Sequence, residues 1–181
     1  MPVRNPIIIK DMYESCVTEL SALNQRSALS SYLNMSQLLT KSLLLSCASL
    51  YEEEIVWAIR DVVKAGRFYE PMSTFLEKSA IDGQFYKWFD FRSAKNTNPF
   101  LSKFGPDFRE KMRQLIDKRE NRQVAEANFL ELCKKRNESV HRNYAAYSLD
   151  LTLHEIYEKH KSAMSYIRIV RHGTTKWLTN E

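Results

Sequence analysis

The sequence predicts an all-α fold, a bundle of four long helices plus short helices. Only four glycines and five prolines occur among 181 residues, a composition that disfavours a turn-rich β fold. Apolar side chains also recur at spacings of three and four, the period of an amphipathic helix. With 44% apolar residues the chain can bury one core, so we predict a single domain over residues 1–181. Residues 1–10 are expected to form an N-terminal arm and residues 174–181 a loose tail.

The first two long helices are predicted in the N-terminal part of the chain. Residues 11–29 form the first helix. Its inward positions are Met12, Cys16, Leu20 and Leu23. The second helix covers residues 37–65 and ends at Gly66, because glycine readily adopts the left-handed conformation after a helix. Asn34 or Ser36 is a suitable N-cap for it.

The sequence predicts only short helices and a loop in the middle of the chain. Pro71 suits the first turn of a short helix that ends before Asp82-Gly83. Residues 85–91 are rich in aromatic side chains without a clear period. We interpret this cluster as core packing, because aromatic residues bury large areas, with an RNA-stacking platform as the alternative. Residues 93–105 are predicted to form a loop.

Two more long patterns complete the bundle. After a shorter helix that opens at Pro106 and a polar break at residues 118–122, a helix runs from Val124 into residues 133–144. Thr152 has a glutamate three residues later, which is the spacing of a capping box and predicts the start of the last helix.

That last helix is expected to end near Gly173, with Trp177 docking the tail. It carries three histidines, His154, His160 and His172. Their spacings of six and twelve make no metal pair, so we predict that they face solvent.

Charge and cysteine usage limit the classes of function. The formal net charge of +5 is compatible with an anionic partner such as RNA. The three cysteines, Cys16, Cys47 and Cys133, have no CxxC spacing, which supports neither a disulfide framework nor a zinc site. No stretch has the length of a signal peptide or a membrane span, so we expect a cytoplasmic protein without membrane contact.

The segment with the most chemistry is Arg136-Asn137-Glu-Ser-Val-His141. An imidazole can accept the proton of a ribose 2′-OH, and a guanidinium can stabilise charge on phosphate oxygens. Residues five apart on a straight helix point about 140° away from each other. Either the helix bends, or two chains share the site across a two-fold axis. A purely structural alternative is a salt bridge from Arg136 to Glu138 or Glu131.

This Arg-x4-His spacing at a helix end resembles the signature of the HEPN superfamily, Arg-x4–6-His with a polar residue after the arginine. The resemblance covers most of the chain. It implies that His141 is the base or acid, that Arg136 binds the scissile phosphate and that Asn137 orients one of them. Some members also place an acidic residue from an earlier helix at the site. Of the candidates Glu52, Glu53 and Glu54, Glu53 is our choice.

The resemblance also implies partners and a biological setting. Further phosphate contacts are expected at Lys134, Lys135 and Arg142, and at Arg168 and Arg171 on the last helix. Some two-component toxins of the superfamily carry a modified tyrosine two residues after the histidine. The tyrosine here, Tyr144, lies three residues after it and is a candidate for RNA contact or modification.

We therefore expect a metal-independent endoribonuclease that needs no cofactor and leaves 2′,3′-cyclic phosphate ends. A homodimer with a composite active site and an antitoxin or defence partner protein are expected with it. The alternative is a non-catalytic helical module that binds RNA or protein.

Overall fold

The structure is a computed structural model that describes residues 7–25, 29–66 and 69–178. In this part of the chain all regular structure is helical, which confirms the predicted all-α bundle. In chain order the helices are α1 (Ile8–Gln25), α2 (Leu29–Ala65), α3 (Glu70–Leu76), α4 (Phe85–Phe89), α5 (Asn98–Leu101), α6 (Pro106–Asp117), α7 (Glu120–His141) and α8 (Leu153–Leu178). A π-helical segment, Glu77–Ile81, extends α3, and a 3-10 turn, Ser102–Phe104, follows α5.

The core lies where α2, α7 and α8 pack against one another, with α1 along α2 and α8. Tyr51, Phe129 and Tyr166 are fully buried at this junction, one from each of the three helices. The Phe129 ring centre lies 5.6 Å from that of Tyr51 and 4.9 Å from that of Tyr166. Helix α4 adds Phe89, whose ring meets Phe129 edge-on at 5.1 Å. The interpretation of the aromatic cluster as core packing is therefore confirmed for most of its members: Phe85, Trp88, Phe89 and Phe91.

The N-terminal boundaries differ from the predicted ones. Helix α1 begins at Ile8, so the end of the predicted arm is already helical, while residues 1–6 lie outside the described residues. Helix α2 is helical from Leu29, and the predicted cap at Asn34 or Ser36 is wrong because both positions lie inside the helix. Packing extends the helix here, since half-buried Tyr32 and Leu39 rest on the core.

The predicted loop over residues 93–105 is largely structured. Phe100 of α5 is fully buried, and Glu126 of α7 ties the preceding turn to the core. The Glu126 carboxylate accepts hydrogen bonds from the Thr97 backbone N–H at 2.8 Å and from Arg113 at 2.9 Å. A loop composition cannot reveal such partners, because they come from other helices.

The start of α8 confirms the predicted capping box. The Thr152 backbone N–H donates to the Glu155 carboxylate at 2.7 Å, and the Glu155 N–H donates to the Thr152 hydroxyl at 3.2 Å.

The predicted end near Gly173 is wrong, since α8 continues to Leu178. Gly173 serves close packing instead, because a Cβ there would lie 2.3 Å from the Met112 Sδ. Trp177 docks edge-on against Phe108 at 6.3 Å, as expected, but from within a helix.

Two polar pairs are buried between α2 and α8, and they correct two predictions. Arg171, expected to contact phosphate, is 3% exposed and binds the fully buried Glu54 with an Nη1–Oε2 distance of 2.6 Å. His160, expected in solvent, is 5% exposed, and its Nδ1 lies 2.9 Å from the Tyr51 hydroxyl. Burial, assisted by the charge of Arg168, lowers the pKa of His160 to about 4.

The remaining features of the fold are the hydrophobicity of its helices and the state of its cysteines. Among the described helices, none is both long and apolar enough to cross a bilayer. Cys16, Cys47 and Cys133 are free thiols and all are buried.

Candidate active site

The predicted motif lies at the C-terminal end of α7, where that helix faces α4 and the turn after it. Helix α7 is continuous to its last residue, His141, so the helix does not end between Arg136 and His141. Even so, Arg136, Asn137 and His141 line one cleft of about 480 Å³. A long arginine side chain can extend along the helix surface, so a five-residue spacing does not prevent both groups from reaching the same cleft.

The guanidinium of Arg136 is held by an aromatic ring. Its Cζ atom lies 4.1 Å from the ring centre of Tyr86, a cation–π contact. Glu52 of α2 lines the same cleft. Burial raises the pKa of Glu52, and the positive charge of Arg136 acts in the opposite direction. The cleft therefore combines a cation, a carboxyl group that holds its proton more tightly than usual, and an imidazole.

The predicted structural alternative for Arg136 is wrong. Glu131 accepts a 2.7 Å salt bridge from Lys159, and Glu138 accepts a 3.1 Å hydrogen bond from the Tyr147 hydroxyl. Within the described ranges, no carboxylate forms a salt bridge with Arg136. Its charge therefore remains available to a ligand in the cleft.

The three consecutive glutamates of α2 have different surroundings. Glu52 lines the cleft that holds Arg136, and Glu54 is buried against Arg171. Glu53 is exposed and lines two other clefts, one of which Glu52 also borders. Successive helical residues are rotated by about 100°, so only one of the three can face α7. The structure therefore places Glu52, and not the predicted Glu53, beside Arg136 and His141.

A second cleft of about 370 Å³ lies on the other side of His141. Both clefts are lined by Phe91, Arg92, Asn137 and His141, so they meet along these residues. We call the two clefts together the α7 groove. His141 is exposed and stands at the boundary between its two halves.

The predicted phosphate contacts divide into two groups. Lys134 and Arg142 are exposed and line the second cleft. Lys135 lines neither cleft, because its Nζ binds the Asp150 carboxylate at 2.5 Å. The structure thus brings two of these three cations to the groove.

Tyr144 also lies outside the α7 groove. Its backbone carbonyl accepts a 2.9 Å hydrogen bond from Lys41 Nζ, which also lies 5.1 Å from the centre of the Tyr144 ring. Tyr147, three residues further on, lies nearer the groove, because Arg142 Cζ is 6.0 Å from its ring centre.

The sequence predictions missed several residues that line the groove, among them Tyr86, Lys87 and Arg92. A signal for Tyr86 existed. Phe85, Trp88 and Phe89 have the spacing of one helical face, and all three are buried, which leaves Tyr86 on a different face. The Tyr86 hydroxyl is buried and has no hydrogen-bond partner among the described residues.

The His, Cys, Asp and Glu side chains of the described residues do not form a metal-binding cluster. Among the described residues, no group of three or more His, Cys, Asp and Glu side chains is placed to hold a metal ion.

The all-α bundle and the Arg136–His141 motif at the end of α7 define a HEPN-superfamily domain. The model of the RiboL-PSP-HEPN family matches residues 11–171, and the chain belongs to that family. This match covers α2, α7 and the α7 groove. No curated protein and no solved structure matches the chain. HEPN domains are often nuclease-like, so family membership indicates an RNA-related role.

Proposed function

We propose that this protein is a metal-independent endoribonuclease that cuts RNA by attack of the internal 2′-OH. The observation that carries the proposal is the presence of Arg136, Asn137 and His141 along one open cleft. Exposed cations around that cleft supply the positive potential that a phosphodiester requires.

The proposed reaction assigns one role to each group. His141 accepts the proton of the 2′-OH, and the 2′-oxygen forms a bond to phosphorus. The bond from phosphorus to the 5′-oxygen breaks, and that oxygen takes a proton from Glu52, whose raised pKa suits a general acid. Arg136 stabilises the charge on the non-bridging oxygens, and Asn137 orients the phosphate. The products are a 2′,3′-cyclic phosphate and a 5′-hydroxyl.

The direct test compares wild type with His141→Ala on a defined RNA. Loss of a general base lowers the rate by about 100- to 10,000-fold. His141 is exposed, so the melting temperature of the variant should match that of wild type. Analysis of fragment ends should find cyclic phosphates, and cleavage should persist in EDTA. Equal cleavage by wild type and variant would contradict the proposal. RNA binding without any cleavage would identify a non-catalytic binding module instead.

The proposal includes a homodimer in which two α7 grooves form a composite site. The α7 groove is open around the exposed His141, which leaves this place accessible to a second chain. Mixing Arg136→Ala with His141→Ala chains tests the arrangement. A composite site predicts that hybrid dimers regain cleavage, since each chain supplies the group that the other lacks. A mixture that stays inactive would restrict the site to one chain.

We further propose that cleavage serves a toxin–antitoxin or phage-defence system, with a separate protein that neutralises it. Support comes from the resemblance to HEPN toxins and from the open groove, which offers an inhibitor direct access. Expression of the chain alone should arrest cell growth, whereas expression of His141→Ala to the same level should not. Normal growth with active enzyme present would contradict a toxin role.

A further inference from the structure

We propose that Arg92 is a second phosphate-binding residue that faces His141 across the α7 groove. The inference rests on the proposed function, which makes RNA the ligand of this groove. Arg92 belongs to the turn after α4 and lines both clefts. The Arg136–His141 motif on α7 gives no indication that Arg92 lies at this site.

The turn that carries Arg92 is built to hold this residue in place. Asp90 adopts φ 47° and ψ 56°, and among the described residues it is the sole non-glycine with a positive φ. Such a conformation is unfavourable unless its surroundings hold it. The Ser93 hydroxyl donates to the Asp90 carboxylate, and the Ala94 N–H donates to the Asp90 carbonyl at 3.0 Å.

The residue before Arg92 anchors the turn in the core. Phe91 is 4% exposed and stacks on Phe89, with 5.2 Å between ring centres and 15° between ring planes. Its neighbour Arg92 is exposed. A fixed backbone therefore presents a long cationic side chain on the wall of the groove opposite α7, which reduces the entropy lost on binding.

Among the described residues, the Arg92 guanidinium is unpaired. In the described part of the chain no hydrogen bond or ion pair engages its side chain, in contrast to Lys135, which is paired with Asp150. The carboxylates that also line the groove are Glu52, Asp90 and Glu138, and the last two accept hydrogen bonds from other residues. An unpaired guanidinium can bind a phosphate through two parallel hydrogen bonds.

Arg92 lies where the two halves of the groove meet. One half holds Arg136 and Lys87, and the other holds Lys134 and Arg142. A strand that occupies both halves must cross between Arg92 and His141, because these residues line the junction. The phosphate beside the reacting 2′-OH would then contact Arg136 from one side and Arg92 from the opposite wall.

The test measures binding of an RNA oligonucleotide with 2′-O-methyl ribose at every position, which 2′-OH attack cannot cut. Arg92→Ala should bind about tenfold more weakly, the loss expected for one charge-assisted contact. The slope of log affinity against log salt concentration should fall by about one. Arg92→Lys should keep the salt slope but lose part of the affinity, because lysine lacks the planar fork.

Arg109→Ala is the matched control, since Arg109 is an exposed arginine on α6 that lines neither half of the groove. It should bind within about twofold of wild type. With cleavable RNA, Arg92→Ala should raise KM more than it lowers kcat.

Equal affinities and salt slopes for Arg92→Ala and Arg109→Ala would overturn the inference. If wild type binds the oligonucleotide but cuts no RNA, the proposed nuclease function fails, and the binding data still decide the role of Arg92. If wild type does not bind the oligonucleotide, the Arg92 proposal fails, and cleavage of unmodified RNA decides the nuclease function separately.

Discussion

Helix α2 places two glutamates near two arginines, and the two neighbourhoods differ in one respect. Glu54 and Arg171 are buried and joined by a 2.6 Å salt bridge between α2 and α8. Glu52 and Arg136 share an open cleft between α2 and α7, and Arg136 rests on the Tyr86 ring in place of a carboxylate. The charge of Arg171 is paired within the protein, whereas the charge of Arg136 remains available to a ligand.

Two of the four histidines, His141 and His160, repeat the contrast. His160 is buried beside Tyr51 in the α2–α8 contact, and His141 is exposed in the α7 groove. The same residue types thus stabilise the fold in one region and face solvent in the other. Partners and access, more than residue type, therefore distinguish the groups that stabilise this domain from those that a ligand can reach.

The largest expected effect is the difference between Arg171→Ala and Arg136→Ala in stability and in RNA cleavage. Arg171→Ala removes the cation that binds Glu54 at 2.6 Å in the core, and loss of one member of a buried ion pair costs about 3–5 kcal/mol of unfolding free energy. Arg136→Ala should leave stability unchanged but lower RNA cleavage by about 100- to 1,000-fold, as expected for loss of a group that stabilises developing charge. Urea unfolding and cleavage rates measured on both variants check the pair. Comparable destabilisation by both would remove the distinction between the regions.

The buried histidine should make stability depend on pH. The pKa of His160 is lowered from 6.5 to about 4 by burial, so the unfolded chain binds a proton more readily than the folded one. Stability should therefore fall by about 3 kcal/mol as pH decreases from 6.5 to 4, and should be unaffected by this group above that range.

Urea unfolding at a series of pH values measures this dependence. His160→Gln should flatten the profile, whereas His154→Gln, on the exposed side of the same helix, should retain it. If both variants keep the wild-type slope, other groups cause the acid sensitivity.

The neighbouring glutamates offer a third test. Glu52→Gln should lower kcat/KM by about 100-fold, the lower end of the range for a positioned acid, because an amide cannot supply a proton to the leaving oxygen. Glu53→Gln makes the same chemical change one residue away, outside the α7 groove, and should stay within about twofold of wild type. Steady-state kinetics on a defined RNA measures both. A larger loss for Glu53→Gln would restore the original sequence prediction.

The smallest expected effect concerns Tyr86. Tyr86→Leu removes the ring beneath Arg136, and a cation–π contact is worth about 0.5–2 kcal/mol. Cleavage should therefore fall by about 2- to 30-fold. Tyr86→Phe keeps the ring, removes a hydroxyl without a partner, and should retain wild-type activity. If phenylalanine is as damaging as leucine, the hydroxyl and not the ring matters.

Most of the fold could be predicted from the sequence. Helical periodicity, scarce glycine and the Thr152–Glu155 capping box identified the class and the start of the last helix, because these signals are local. The predictions were wrong where contacts with other helices determine the local structure. Gly173 resembles a helix end but permits close packing on Met112, and the turn at Thr97 is ordered by Glu126.

By itself, the sequence determined an all-α HEPN domain and the positions of Arg136, Asn137 and His141 on one helix. Only the tertiary structure decided which glutamate faces that motif, and only it brought the turn with Arg92 to the opposite wall. The physical reason is that periodicity along a helix indicates which side is buried. It carries no information about which other helix covers that side or leaves it open.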